Sequence, residues 1–448
     1  MATTVHPRRS MFEPGVLFRK ALFGLALSCL LVPLFGTGAQ AQAERSLKVA
    51  YMKHPIQDAS SEMLEKWGKA NNVKIIKIAT AYEVFFEKVT QTLTSGGDQF
   101  DLIWHNDDWG QNWQKWLEPT NDIPNMKDVD RWPVDVIFTN DDGKDTVVPM
   151  VHTLGTFFYR TDLIKPAEFP KTWAELVSVS QKLQKSGQVK WGYVGGMKFP
   201  HTWFSLLWSM WSDNCDILKP FNERDNKKLA AAGWVSGMQD PCMQDVAEFW
   251  WDAINVNKIT PPGATTYSRT DANAIFQAGD AAITMADSTF YGDFNDPAKS
   301  KVAGKVSFAS WPVGPRGKSP RAWNDIWGWA IPKGSKNKAL AKQALNAMLA
   351  DVDGQVAMWK ATGGPPPSLK VQAQLRKQDP LFGLLMSATI DRVDRKGDFH
   401  SAYYFPEWGR VHKEYSDIMI EAISGKREDI PKVLRAGHER IHKAATGG

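Results

Sequence analysis

Two residue patterns in this 448-residue chain could carry chemistry. His438-Glu-Arg-Ile-His442 fits the His-Glu-x-x-His signature, in which two imidazoles at i and i+4 share a helix face and bind zinc. Only six residues follow it, so no downstream third ligand is expected, and a solvated terminal helix is the better account. The second pattern is indole beside carboxylate and amide, densest in Trp104-His-Asn-Asp-Asp-Trp109. Twenty Trp stand against nine Tyr, which is the unusual feature of the composition. Flat indoles cover the apolar C–H faces of a hydroxyl-rich ligand, and carboxylates and amides satisfy its hydroxyls. Core packing competes for the same residues: Trp113, Trp116, Trp208, Trp250 and Trp251 lie in helix-like stretches and are assigned to the interior. No Gly-x4-Gly-Lys-Ser/Thr phosphate loop and no Gly-x-Ser-x-Gly elbow is present, which argues against a P-loop ATPase and an elbow-type hydrolase.

The elements that would position these residues alternate. Leu47–Met52, "VKIIKIAT" and Phe100–Asn106 read as buried strands. Between them lie a helix with Met63, Leu64 and Trp67 on one face and a helix "EVFFEKVTQTLT" closed by a Gly pair. Alternation of this kind predicts an α/β fold with a mainly parallel sheet, whose ligands sit beyond the carboxyl ends of strands. Thr146–Ile164 reads as two extended stretches broken at Pro149 and Gly155. Thr172 and Glu175 form a capping-box pattern that opens a helix. "WGYVGG", Ala281–Ala286 and "NDIWGWAIPKGS" are further strands, "TWFSLLWSMW" is an apolar helix, and the last 45 residues read as helical.

The N-terminus carries Arg8, Arg9, Arg19 and Lys20, then an apolar run Ala21–Phe35 and a small-residue stretch ending at Ala43. This is the layout of a secretory signal peptide over residues 1–43, cleaved after Ala41 or Ala43, and predicts export. The formal charge then falls from +5 to about +2, giving no reason to expect nucleic acid or an anionic membrane as partner. Two cysteines remain, Cys215 and Cys242, and an oxidising compartment makes them a disulfide candidate worth roughly 3–4 kcal/mol.

Taken in order, "FDLIWHNDDWG", "VVPMVHTLGTFFYRTDLI", "PKTWAELVSVSQKL", "FQAGDAAITMADS", "WGWAIPKGSKNKALAKQAL", "ATGGPPPS" and "AISGKREDIPKVLRAGHERIHK" resemble the carbohydrate-type extracellular solute-binding proteins of ABC importers, the family of the maltose-binding protein. The resemblance implies a two-lobed periplasmic binding protein fold. Each lobe would be a mainly parallel sheet flanked by helices, with about three crossings near Val151–Thr156, Ile326–Ile331 and Gly364–Ser368. Lobe one would hold 44–151 and 331–365, and lobe two 152–330 and 366–448.

The resemblance also implies where a ligand would sit. In the loop after the third strand, one of Asp107 and Asp108 would bind ligand and the other cap the next helix, with Asp107 preferred; Trp104 and Trp109 flank them. Lys53 and His54 follow the first strand, and His152 lies in the first crossing. His201 and Trp203 would face the cleft from lobe two, as would Asp287 and Ser288, where the family's usual aromatic ring is absent or displaced to Phe290. Asn324, Asp325 and Trp327 lie just before the second crossing, Gly363 and Gly364 would offer backbone N–H groups, and Trp408 a stacking ring. His54, His105, His152 and His201 could together suit zinc or nickel, but they alternate with Trp and Asp and show no close His-x-His spacing, so no metal and no cofactor is expected. The implied function is a periplasmic, monomeric, non-enzymatic receptor that hands a sugar or sugar alcohol to membrane permease subunits. The alternative is a secreted carbohydrate-active enzyme. Lys53, Lys198 and Arg321 leave an acidic ligand open.

Overall fold

Strand β1 (Arg45–Met52) is the first element of a computed structural model that describes residues 45–96, 98–132, 134–140, 142–219, 235–392, 405 and 408–446. The expected signal peptide lies outside the described residues. The remaining strands are β2 (Val73–Thr80), β3 (Leu102–His105), β4 (Val147–Arg160), β5 (Trp191–Val194), β6 (Leu218–Lys219), β7 (Val235–Ser236), β8 (Ala281–Asp287), β9 (Val306–Ala309) and β10 (Trp323–Ala330). Seven of them run in the order β2-β1-β3-β10-β4-β8-β5, with β9 also on β4, while β6 and β7 pair separately. Pairing is parallel at the outer ladders, β1 with β2 and β3, and β5 with β8. It is antiparallel where β10 meets β3 and β4, and where β4 meets β8 and β9. The sheet is therefore mixed through its middle, and β4 and β10 tie the β1–β3 half to the β5–β8 half.

The reading of Thr146–Ile164 as two broken stretches is corrected: β4 is one strand of 14 residues. Pro149 falls at a register shift opposite Trp327 and Gly328, where its missing N–H is tolerated. Gly155 is required by packing, since a Cβ there would stand 2.1 Å from the Trp323 ring. β9, a four-residue strand, was not anticipated from the sequence.

Helices cover the sheet. They include α1 (Pro55–Ala70), α2 (Tyr82–Thr94), α3 (Trp173–Lys185), α4 (Leu206–Ser212), α5 (Pro241–Asn255), α6 (Arg269–Gln277), α7 (Lys338–Ala350), α8 (Val352–Thr362), α9 (Trp408–Ser424) and α10 (Ile430–Thr446). The end of α2 follows the glycine signal, with Gly96 at φ +66° just beyond Ser95. At α3, Thr172 caps the Glu175 N–H, but the Glu175 carboxylate accepts from the Lys171 N–H, one residue earlier than the expected box. Helix α6 carries a full reciprocal box between Ser268 and Asp271.

Trp113, Trp208 and Trp250 are fully buried, as their helical setting predicted, whereas Trp116 and Trp251 are half-buried. Cys215 and Cys242 are joined, as expected, tying the loop after α4 to the first turn of α5. Among the described residues no helix is long and apolar enough to cross a membrane.

Candidate functional site

Residues from both halves of the sheet converge beside the middle strands. From the β1–β3 half comes His54, the N-cap of α1, whose Nδ1 accepts the Ile56 N–H at 3.3 Å. Its ring stands edge-on to Trp327 of β10, with centroids 5.7 Å apart. The Trp327 Nε1–H donates to Asp107 Oδ1 at 3.1 Å, which fixes the indole plane from the loop after β3. A hydrogen bond of this kind contributes about 1 kcal/mol net and holds the indole in one orientation.

Arg269 enters from the β5–β8 half as the first residue of α6. Its Nη1 donates to Asp287 Oδ2 at 2.9 Å, and its guanidinium lies over the rings of Phe290 at 4.7 Å and Phe204 at 5.8 Å. Its charge is felt across the site. Burial first, and then Arg269, push the His54 imidazole down to about 3; the same two causes push His201 down to about 4. Both rings are neutral at neutral pH. Burial raises the Asp287 carboxyl while Arg269 draws it back. A cavity of about 210 Å³ opens alongside, bordered by His54, Phe290, Asp293, Asp296 and Lys299.

The opening is thus edged by the His54 imidazole, the Phe290 ring, Asp293, Asp296 and Lys299, with the Trp327 indole packed on His54 and the Arg269 guanidinium on Phe290. Such a set donates to and accepts from hydroxyls while covering C–H surface. Among the described residues no group of three or more His, Cys, Asp or Glu is placed to hold a metal ion.

The other expected residues are distributed as follows. Trp109 is buried against Phe85, Phe86 and Trp113. Trp104 is wholly buried, edge-on to Trp329 at 4.9 Å, with its Nε1–H on Asn106; pairing of β3 with β10 turns it into the core and not toward a ligand. The Asp108 side chain lies outside the described residues. His152 Nδ1 and Asn324 Oδ1 meet at 2.9 Å inside the β4–β10 ladder, and Asp325 is buried opposite Thr153. Ser288 Oγ accepts the Leu154 N–H. Trp203 packs in a buried aromatic cluster with Trp211, Trp323, Trp408 and His412, and Trp408 stacks on His412 at 5.0 Å. Gly364 does not offer a free N–H: it donates to Thr362 Oγ1, and that of Gly363 donates to the Trp359 carbonyl. Gly364 is needed for close approach to Val151, since a Cβ would lie 2.4 Å from Cγ2. Lys53 is exposed beside His54. Arg321 donates to Asn214, next to Cys215 of the disulfide.

Sequence reasoning missed Arg269 altogether. Its available signal was the Ser268-x-x-Asp271 box, which places Arg269 at a helix start after a loop. Phe290, which the reading left as displaced or absent, is present under the guanidinium.

The model of a family described as bacterial extracellular solute-binding protein matches residues 53–355. A probable ABC transporter-binding protein of Deinococcus radiodurans is 24% identical over 402 residues, covering 86% of this chain and 90% of that protein. A mannitol-binding protein of Pseudomonas aeruginosa is 25% identical over 375 residues, covering 74% and 75%. Among solved structures, maltose-bound T. maritima MalE3 superposes with a TM-score of 0.71 at 22% identity, covering 88% of this chain and 99% of that one. A solute-binding protein of Agrobacterium radiobacter K84 in complex with ribitol gives 0.70 at 17% identity, covering 89% and 98%. The likeness to these structures establishes the two-lobed α/β fold.

Proposed function

This chain belongs to the bacterial extracellular solute-binding protein family, and from that premise we propose that it is a receptor that captures a sugar or sugar alcohol between two lobes for an ABC importer. The observation that supports this reading is a cavity bordered by His54 on one side and by Phe290, Asp293, Asp296 and Lys299 on the other, with Trp327 packed on His54 and Arg269 on Phe290. A ligand held from both sides stabilises the closed state, because only closure supplies both sets of contacts. The lobes would be 44–151 with 331–365, and 152–330 with 366–448, with β4, β10 and the 364–368 segment as the crossings. The His152 N–H donates to the Pro365 carbonyl at 2.8 Å, which keeps β4 beside that last segment. The relatives that bind mannitol and ribitol favour a polyol, and the one that holds maltose favours a sugar. The chain would act in the periplasm as a monomer, dock on membrane permease subunits when closed, and perform no chemistry on its ligand.

Isothermal calorimetry with mannitol, ribitol, tagatose and maltose tests the reading, together with small-angle scattering of the bound and free forms. Expected is micromolar or tighter binding by one of them, about −8 kcal/mol, with a smaller radius of gyration when bound. Released product on prolonged incubation would replace the receptor reading with an enzymatic one.

A further inference from the structure

Whether the ligand is neutral or acidic is the question the sequence leaves open, and charge pairing at the site bears on it. Lys299 borders the opening, and Arg269 lies over the Phe290 ring at its edge. Arg269 is tied to Asp287 at 2.9 Å, and Lys299 to Asp293 at 2.6 Å and Asp296 at 3.8 Å. The three other candidates for an acidic ligand contribute little: Arg321 is on Asn214 beside the disulfide, and Lys53 and Lys198 are exposed, where solvent and salt screen them.

We propose that this site accepts uncharged polyhydroxylated ligands and rejects sugar acids and sugar phosphates, because its cations are already matched to carboxylates, Lys299 to two of them. The inference rests on the receptor reading above and narrows its ligand class. Arg269 carries five N–H donors in a planar fork, so it can serve Asp287 and a ligand hydroxyl together. An incoming carboxylate or phosphate would lose water without gaining an unmatched cation, and would face Asp293 and Asp296. The neutral imidazoles of His54 and His201 supply no compensating charge at neutral pH.

The test is calorimetry at pH 7 with matched sets: mannitol, mannonate and mannitol 1-phosphate; ribitol, ribonate and ribitol 5-phosphate; maltose and maltobionate. For whichever neutral parent binds, its anionic partners are expected to bind at least about 100-fold more weakly. In Asp287→Asn, which leaves Arg269 unneutralised, that ratio is expected to shrink by about 10-fold or more. An anionic compound that binds wild type as tightly as its parent would overturn this inference and leave the receptor reading standing. An unchanged ratio in a folded Asp287→Asn protein, checked by its thermal melt, would overturn the role given to the pair. Should that variant not fold, the wild-type ratio still decides. Binding by no neutral member would overturn the receptor reading, and the inference with it.

Discussion

At the scale of single residues the site is a set of side chains that hold one another. Trp327 is useful to a ligand only in the plane that Asp107 imposes on it, so the two should act as a unit. Asp107→Ala and Trp327→Phe are each expected to weaken binding about 10-fold, with Tm lowered by no more than a few degrees. The double variant should be little worse than either single one, a coupling of about 1 kcal/mol read by calorimetry. Losses that multiplied to 100-fold would show independent roles. Arg269→Gln removes the ion pair and the stacking on Phe290 together and is expected to weaken binding by about 10- to 100-fold. Trp104 provides the contrast. Its position at the end of a strand resembles that of a ligand contact, yet its burial against Trp329 makes Trp104→Phe a stability variant with unchanged affinity.

Secondary-structure elements decide how accurately those side chains are aimed. Arg269 is the first residue of α6, and the reciprocal box of Ser268 and Asp271 sets where that helix begins. Ser268→Ala should cost about 1 kcal/mol in stability and also weaken ligand binding severalfold, whereas loss of the Thr172 cap, on a helix outside the site, should cost stability alone. Chemical denaturation beside calorimetry separates the two. At β4, Gly155→Ala should destabilise the fold by about 1–3 kcal/mol, since the added carbon meets the Trp323 ring and not open space. These cases also show what was legible beforehand. Strand and helix order could be read because apolar runs, caps and terminal glycines act locally. The continuity of β4 could not, because Pro149 and Gly155 are excused by what lies on β10, a partner 172 positions away at the His152–Asn324 contact. Asp107, His54 and Trp327 are candidates that strand-end position and family resemblance supply. Arg269 was missed because its meaning depends on Asp287 and on His54 from the other half of the sheet, neither of which marks it in the local sequence.

Across the whole molecule, burial of histidines ties stability to pH in a direction that can be worked out. His105 is enclosed by Trp113 and Phe138, and His412 by Phe199, Trp203, Trp408 and the Thr202 hydroxyl. The titratable neighbour of His412 is His201, which disfavours a second positive charge. Burial pushes both His105 and His412 down to about 3 in the folded state, against an unfolded value of 6.5. Above pH 6.5 neither state is protonated and the term vanishes. As the pH falls below 6.5 the unfolded chain takes up protons that the folded chain withholds, so stability declines steadily until about pH 3. At pH 5 each histidine accounts for about 2 kcal/mol of that loss. Denaturant melts from pH 8 to pH 4.5 should therefore be flat above pH 7 and slope downward below 6.5. His412→Gln and His105→Gln, even if less stable at pH 8, should each make the slope near pH 5 shallower by about one proton. A variant that kept the full wild-type slope would show that its histidine is protonated in the native state and that the interior around it is not closed to charge. Because His54 and His201 are neutral over the same range, ligand affinity should stay constant from pH 8 to about pH 5.5 while stability falls, and calorimetry at both ends distinguishes this from a site that depends on an imidazolium.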